Sequence, residues 1–173
     1  MQQQTLTIDV TGTPAPQGSK RGIPIRRKNG TIGAAIVESA GDKLTTWRQD
    51  VRAAAEKAAQ EHHWTTPPRD IALIVDIHFA FTRPKSHYRT GKNSHLLRDN
   101  APKFHTTKPD IDKLIRGILD ALTSAGIYTD DSNVIRAIAV KSYANQGESP
   151  GASIYVTALI PNNPATNLER TTT

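Results

Sequence analysis

Four aspartates hold the densest chemistry in this chain. Asp110 and Asp112 stand two residues apart in KPDIDKLIRGILDAL, and Asp130 and Asp131 stand side by side in AGIYTDDSNV. Carboxylates gathered within a few ångströms repel one another, and a bound cation relieves that repulsion. Ligands that are all oxygen suit hard ions such as Mg²⁺ or Mn²⁺. Phosphodiester cleavage can use such ions to activate water and to stabilise the leaving oxygen. Each acid also has a plainer reading. Asp110 can be a helix N-cap, Asp112 a first-turn partner of the helix dipole, and Asp130 and Asp131 turn formers. Asp120 reads as a solvent-facing acid. Spacing alone leaves both readings open.

The charge around these acids is uneven. The 173 residues include 22 Lys or Arg against 16 Asp or Glu, a net charge of +6. Residues 83–108 contain seven basic residues and one acid, Asp99, and residues 13–36 contain no acid at all. Basic stretches of this kind attract nucleic-acid phosphates and release counterions on binding; as solvated loops they would do nothing. The candidate phosphate contacts are Lys20, Arg21, Arg26, Arg27 and Lys28 in the first stretch, Lys85, Arg89, Lys92, Lys103 and Lys108 in the second, and Lys113 beside the first acidic pair. Tyr88 could stack on a base. The absence of cysteine excludes disulfides and thiolate metal ligands. No apolar run approaches the roughly 18–20 residues that span a bilayer, and MQQQTLTIDV lacks the form of a secretory signal. These features predict a cytoplasmic protein with no membrane partner. His87, His95 and His105 match no ligand spacing. Ser19 has no base beside it, and Gly18 and Gly22 make no phosphate loop.

The elements that must position the acids can be read from periodicity. Leu6, Ile8 and Val10 alternate with polar residues and predict a strand. Residues 23–27 and 31–37 flank Asn29-Gly30 and predict a hairpin. Asp42 can cap a helix over 43–62 with Leu44, Trp47, Val51, Ala54, Ala55 and Ala58 on one face. Residues 71–82 give the clearest strand, and Asp76 and His78 share its more polar face. Residues 84–107 show no period. Ile111, Leu114, Ile115, Ile118, Leu119 and Leu122 predict an amphipathic helix, with Pro109 at its start and Gly126 just past its end. Strands follow at 134–143 and 152–160. The sum is a single α+β domain over 1–160, with a mixed sheet, two helices on one face and a flexible tail over 161–173. In the first helical turn Asp110 and Asp112 can both point past the helix end, and Asp112 shares a face with Arg116. A reversal after Gly126 that folds back along the helix would bring Asp130 and Asp131 to them.

PDIDKLIRGILDAL followed by AGIYTDDSNV resembles the RusA family of Holliday junction resolvases, many of them encoded by phages and prophages. The family pattern runs D-hydrophobic-D-N-L-x-K, then I-L-D-A-L, a Gly turn, and D-D-x-x-hydrophobic. The strong match covers 108–134; PAPQGSKR and the C-terminal strands agree more loosely. The resemblance implies a homodimeric, Mg²⁺-dependent endonuclease, with Mn²⁺ as a substitute, in a bacterial or phage-infected cell. It would bind four-way DNA by shape and nick symmetrically related strands. It assigns the catalytic carboxylates to Asp110, Asp112 and Asp131, with Asp130 as a further metal ligand. Two positions depart from the pattern: Lys113 replaces the family Asn, and Arg116 replaces the family Lys. Arg keeps the charge but is a planar fork where Lys is a compact ammonium. Two other readings remain: a branched-DNA-binding protein without catalysis, and a metal-dependent nucleotide phosphohydrolase.

Overall fold

The computed structural model describes residues 2–18, 20–26, 30–38 and 41–161. The elements run β1 (Gln2–Thr11), β2 (Lys20–Arg26), β3 (Ile32–Glu38), α1 (Gly41–Glu61), β4 (Ala72–Phe81), α2 (Ile111–Ser124), β5 (Val134–Tyr143) and β6 (Gly151–Ile160). Four strands form one sheet in the order β1-β6-β4-β5, and β2 and β3 pair as a separate hairpin. The sheet is mixed: β4 and β5 are parallel, while β6 lies antiparallel to both β1 and β4. The parallel pair arises because α2 carries the chain from β4 across to β5. This is the α+β architecture that the periodicity predicts, with both helices on one face.

The alternation in β1, β4 and β6 sends Leu6, Ile8 and Val10, Leu73, Val75, Ile77 and Phe79, and Ala152, Ile154 and Val156 into the core. Trp47, Val51 and Ala55 of α1 meet them, as do Leu114, Ile118, Ala121 and Leu122 of α2. Gly117, buried in α2, lets the loop 13–18 lie close: a Cβ there would sit 3.6 Å from the Ala15 carbonyl oxygen. The opposite sheet face has no helix over it.

Some boundaries differ from expectation. Helix α1 begins at Gly41, so Asp42 sits inside its first turn and does not cap it. Residues 84–107 are not featureless: short 3₁₀ turns at 85–87 and 91–93 and an isolated bridge between Tyr88 and Leu97 fold them into a compact excursion. Local backbone hydrogen bonds, which leave no side-chain period, hold this segment. The hairpin turn at Asn29, together with Arg27 and Lys28, and the tail beyond 161 lie outside the described residues. Among the described residues no helix is long and apolar enough to cross a membrane.

Candidate active site

Asp110 occupies the N-cap position of α2 with extended backbone, but its side chain makes no capping bond. Its carboxylate instead faces Lys113, with Nζ 3.0 Å from Oδ2. That contact, with further pull from Lys108 and Lys141, holds the Asp110 carboxyl below the usual carboxylate range. Asp112 lies exposed in the first turn. Among the described residues no ion pair joins it to Arg116, which is also exposed. The segment leading into the helix is pinned from β5: Lys141 Nζ donates to the Thr107 carbonyl at 2.8 Å and the Pro109 carbonyl at 2.7 Å. A charged donor satisfying two carbonyls is worth about 1.5–3 kcal/mol per bond at most, less where water reaches it. The Lys108–Pro109 peptide is cis. His105 is buried there, stacked on Phe81 with ring centroids 4.1 Å apart. Burial, then Lys141, pushes its pKa below the ordinary histidine value.

The second acidic pair stands elsewhere. Helix α2 closes with a Schellman motif: Gly126 N–H donates to the Thr123 carbonyl and Ile127 N–H to the Leu122 carbonyl, with Gly126 at φ 71°. The chain then turns back for only one helical turn. Tyr128, buried, reaches the Leu119 carbonyl with its hydroxyl at 3.2 Å. Burial pushes that hydroxyl's pKa well up. Trp64 Nε1 donates to the Ile127 carbonyl and Thr66 Oγ1 to the Gly126 carbonyl, fixing the return. Asp130 accepts from Ser132 N–H at 2.9 Å, which lowers its pKa and commits it to capping the 3₁₀ turn 131–133. Asp131 is exposed in that turn. Asn133 Nδ2 donates to the Arg69 and Ile71 carbonyls and ties the turn to the start of β4. Asp120, Asp130 and Asp131 share one shallow surface with Arg48.

The expected fold-back along the whole helix is therefore corrected. The 14 residues of α2 rise ~1.5 Å each, so its ends are about 21 Å apart. Asp110 and Asp112 stand at one end; Asp130 and Asp131 stand beside the other. Strand β5 then returns along α2 from the second pair to the first. Among the described residues of one chain, no three His, Asp or Glu side chains converge to hold a metal. The physical reason is the early capture of the return by Tyr128, Trp64 and Asn133.

Other candidates fall into place. Asp76 and His78 lie on the sheet face away from α2, with Asp76 near Arg136 at 3.8 Å and His78 bonded to Ser142 at 2.8 Å. They are no neighbours of the acids. Arg89 is engaged by Asp99 at 2.6 Å and by the Leu97 carbonyl, so it shapes its loop. Lys85, Lys92, Lys103 and Lys108 are exposed. Lys20 and Arg21 open β2, and Arg26 closes it, exposed. Trp47 is core, as its helix face requires. Positioning residues that the sequence reading did not single out are Lys141, Tyr128 and Asn133. A signal for Lys141 existed: it follows Ala137 and Ala139 on the inward face of β5, where a lysine needs a partner.

The family model for endodeoxyribonuclease RusA matches residues 14–157. The chain belongs to the RusA endodeoxyribonuclease family. The matched range contains both helices and all four aspartates. RusA proteins are Holliday junction resolvases acting on branched DNA, so nuclease activity and DNA binding follow at the level of the family. No curated protein matches the chain.

Proposed function

We propose that this RusA protein is a Mg²⁺-dependent endonuclease that resolves four-way junctions as a homodimer, and that each active site draws on both subunits. The observation that carries this reading is the placement of the two acidic pairs at opposite ends of α2 and β5, beside a bare sheet edge. Strand β5 is an edge strand of ten residues. Its side chains are uncovered: Ile135 is 66% exposed, Val140 53% and Ile138 48%. The other edge, β1, shows solvent Thr5, Thr7, Asp9 and Thr11. An uncovered apolar edge invites pairing with another strand. Antiparallel pairing of two β5 strands about a two-fold axis sets the start of one against the end of the other. Asp131 precedes β5, and Lys141 near its end holds the segment entering Asp110. The two-fold therefore favours Asp131 meeting the partner's Asp110 and the partner's Asp112, twice per dimer.

Those donors are all carboxylate oxygen, the set that suits Mg²⁺, with Mn²⁺ as a substitute. Asp110, Asp112 and Asp131 would hold the ion, and Asp130 stands next to it. When bound, the ion supplies neutralising charge and lowers the pKa of water for phosphodiester hydrolysis. The protein's own cations bind and orient the DNA. Arg116, one turn beyond Asp112, can fork onto phosphate oxygens, and Lys108 and Lys113 add positive charge at the same helix end. Lys85, Lys92 and Lys103, with Arg26 and the flanking Arg27 and Lys28, grip backbone further out. Two sites related by symmetry account for paired nicks. The test is nicking of synthetic four-way junctions in Mg²⁺. Asp112→Asn should cut more than ~100-fold more slowly than the parent, since loss even of an outer-shell partner costs 10–100-fold. Unchanged cutting by that variant would end the assignment.

A further inference from the structure

A groove of about 860 Å³ opens between the loop 13–18, the start of α1 and the entry to α2. Nothing in the hydrolytic reading uses it. Its walls are apolar, built by Pro14, Pro16, Trp47 and Pro109, and they carry two carboxylates, Asp42 and Asp50. Lys113, the residue paired with Asp110, lies on its rim. The groove is fixed in place from both sides. Gln17 N–H donates to the Lys113 carbonyl at 3.0 Å, and Gly12 N–H to the Pro150 carbonyl at 2.9 Å. At Gly12 the backbone runs so close that an added Cβ would meet Asp50 Oδ2 at 3.2 Å and the Trp47 ring at 3.4 Å. Two lining residues carry buried polar atoms without a hydrogen-bond partner, Gln17 Oε1 and Trp47 Nε1.

The chemistry of this groove is opposite to that of the surface around it. On a basic protein, two carboxylates inside a cleft repel phosphate but accept hydrogen bonds from amino groups. Apolar, partly aromatic walls of this size suit a flat heterocycle, and the volume falls in the usual range for small-molecule sites. DNA whose backbone runs from the β2–β3 hairpin to Asp110 crosses the mouth of the groove. We propose that the groove receives one unstacked nucleobase bearing an exocyclic amino group, from a nucleotide next to the scissile phosphate. Carboxylates are suitable acceptors for such an amino group. Thymine, which has none, is disfavoured. The cost of unstacking is a few kcal/mol in duplex and least where pairing is already interrupted, as it is at a branch point. The inference rests on the junction-cutting reading and adds to it a source of nucleotide preference at the cut.

The experiment uses the full chain and four-way junctions with 2-aminopurine, which carries an amino group and fluoresces when unstacked, placed singly around the mapped nick. Fluorescence is read without divalent ion, so no strand is cut, and junction binding is followed in parallel by gel shift. The expected result is a rise of ~3-fold or more at one position beside the nick, as for other extruded bases. Asp50→Asn and Asp42→Asn, which keep shape and remove charge, should reduce that rise. They should also shrink by ~5-fold or more the parent's preference for amino-bearing bases there in Mg²⁺ cleavage. Fluorescence flat at every position on a bound junction would overturn the inference and leave the nuclease reading standing. So would an unchanged nucleotide preference in Asp50→Asn. A protein that neither binds nor cuts junctions would overturn both.

Discussion

The two ends of α2 differ in kind. At the N-terminal end two aspartates stand among cations, and Lys113, Lys108 and Lys141 all act on Asp110. At the C-terminal end three aspartates, Asp120, Asp130 and Asp131, share a surface with a single arginine, Arg48. One end offers carboxylates already balanced by positive charge and suited to hold a phosphate nearby. The other offers excess negative charge and suits a cation. Each end holds part of what phosphodiester hydrolysis needs, and a 14-residue helix keeps the parts from meeting within one chain. The bare edge of β5 links the ends of two chains. The difference teaches that the unit of function in this fold is larger than the unit of folding.

The largest effect should come from breaking that link. Ile138→Glu with Val140→Glu puts charges on an exposed part of the edge and touches no core residue. Fold content by circular dichroism should stay, light scattering should show a monomer, and cutting should fall by more than ~100-fold because no site is complete. A monomer that cuts at the parent rate would break the comparison. A smaller effect should sharpen it at the cationic end. Lys113 competes with a metal ion for Asp110, so Lys113→Asn should lower the Mg²⁺ concentration needed for half-maximal cutting by several-fold, on the order of 3- to 10-fold for the loss of one nearby charge. A raised requirement would show that Lys113 helps the site in some other way.

The smallest effect concerns how that end is held. His105 has its pKa lowered by burial and by Lys141. The unfolded chain therefore binds a proton more readily than the folded one between the ordinary value near 6.5 and the lowered folded value. The contribution to stability is present above pH 6.5 and is lost as pH falls through that window. Melting temperature should drop on going from pH 7.5 to 5.5, and His105→Leu should flatten part of the drop. An identical slope in the variant would remove His105 from the account.

Much of this arrangement was legible in the residues. The alternation of Leu73, Val75, Ile77 and Phe79 and the period from Ile111 to Leu122 leave only one burial pattern open, so the strand, the helix and their shared face follow. Gly126 after an amphipathic run marks a helix end because only a residue tolerant of positive φ fits there. The path beyond Gly126 was not legible. It depends on Trp64, Thr66 and Asn133, which act through hydrogen bonds to carbonyls more than sixty residues away, and no local pattern encodes such contacts. The loop 84–107 was opaque for a related reason: its order comes from backbone bonds and from the stacking of His105 on Phe81. Family resemblance located the four aspartates, but their separation along α2 appears only in three dimensions.

The most direct test of the shared site is complementation. Asp112→Asn and Asp131→Asn chains, each carrying a different tag, are co-expressed, and heterodimers are purified through both tags. In a shared arrangement one of the two sites receives both substitutions and the other receives neither. Each variant alone should be inactive, while the heterodimer should nick four-way junctions at about half the parent rate and as single nicks without a paired partner. A heterodimer as inactive as its parents would place Asp112 and Asp131 in the same chain's site and contradict the account.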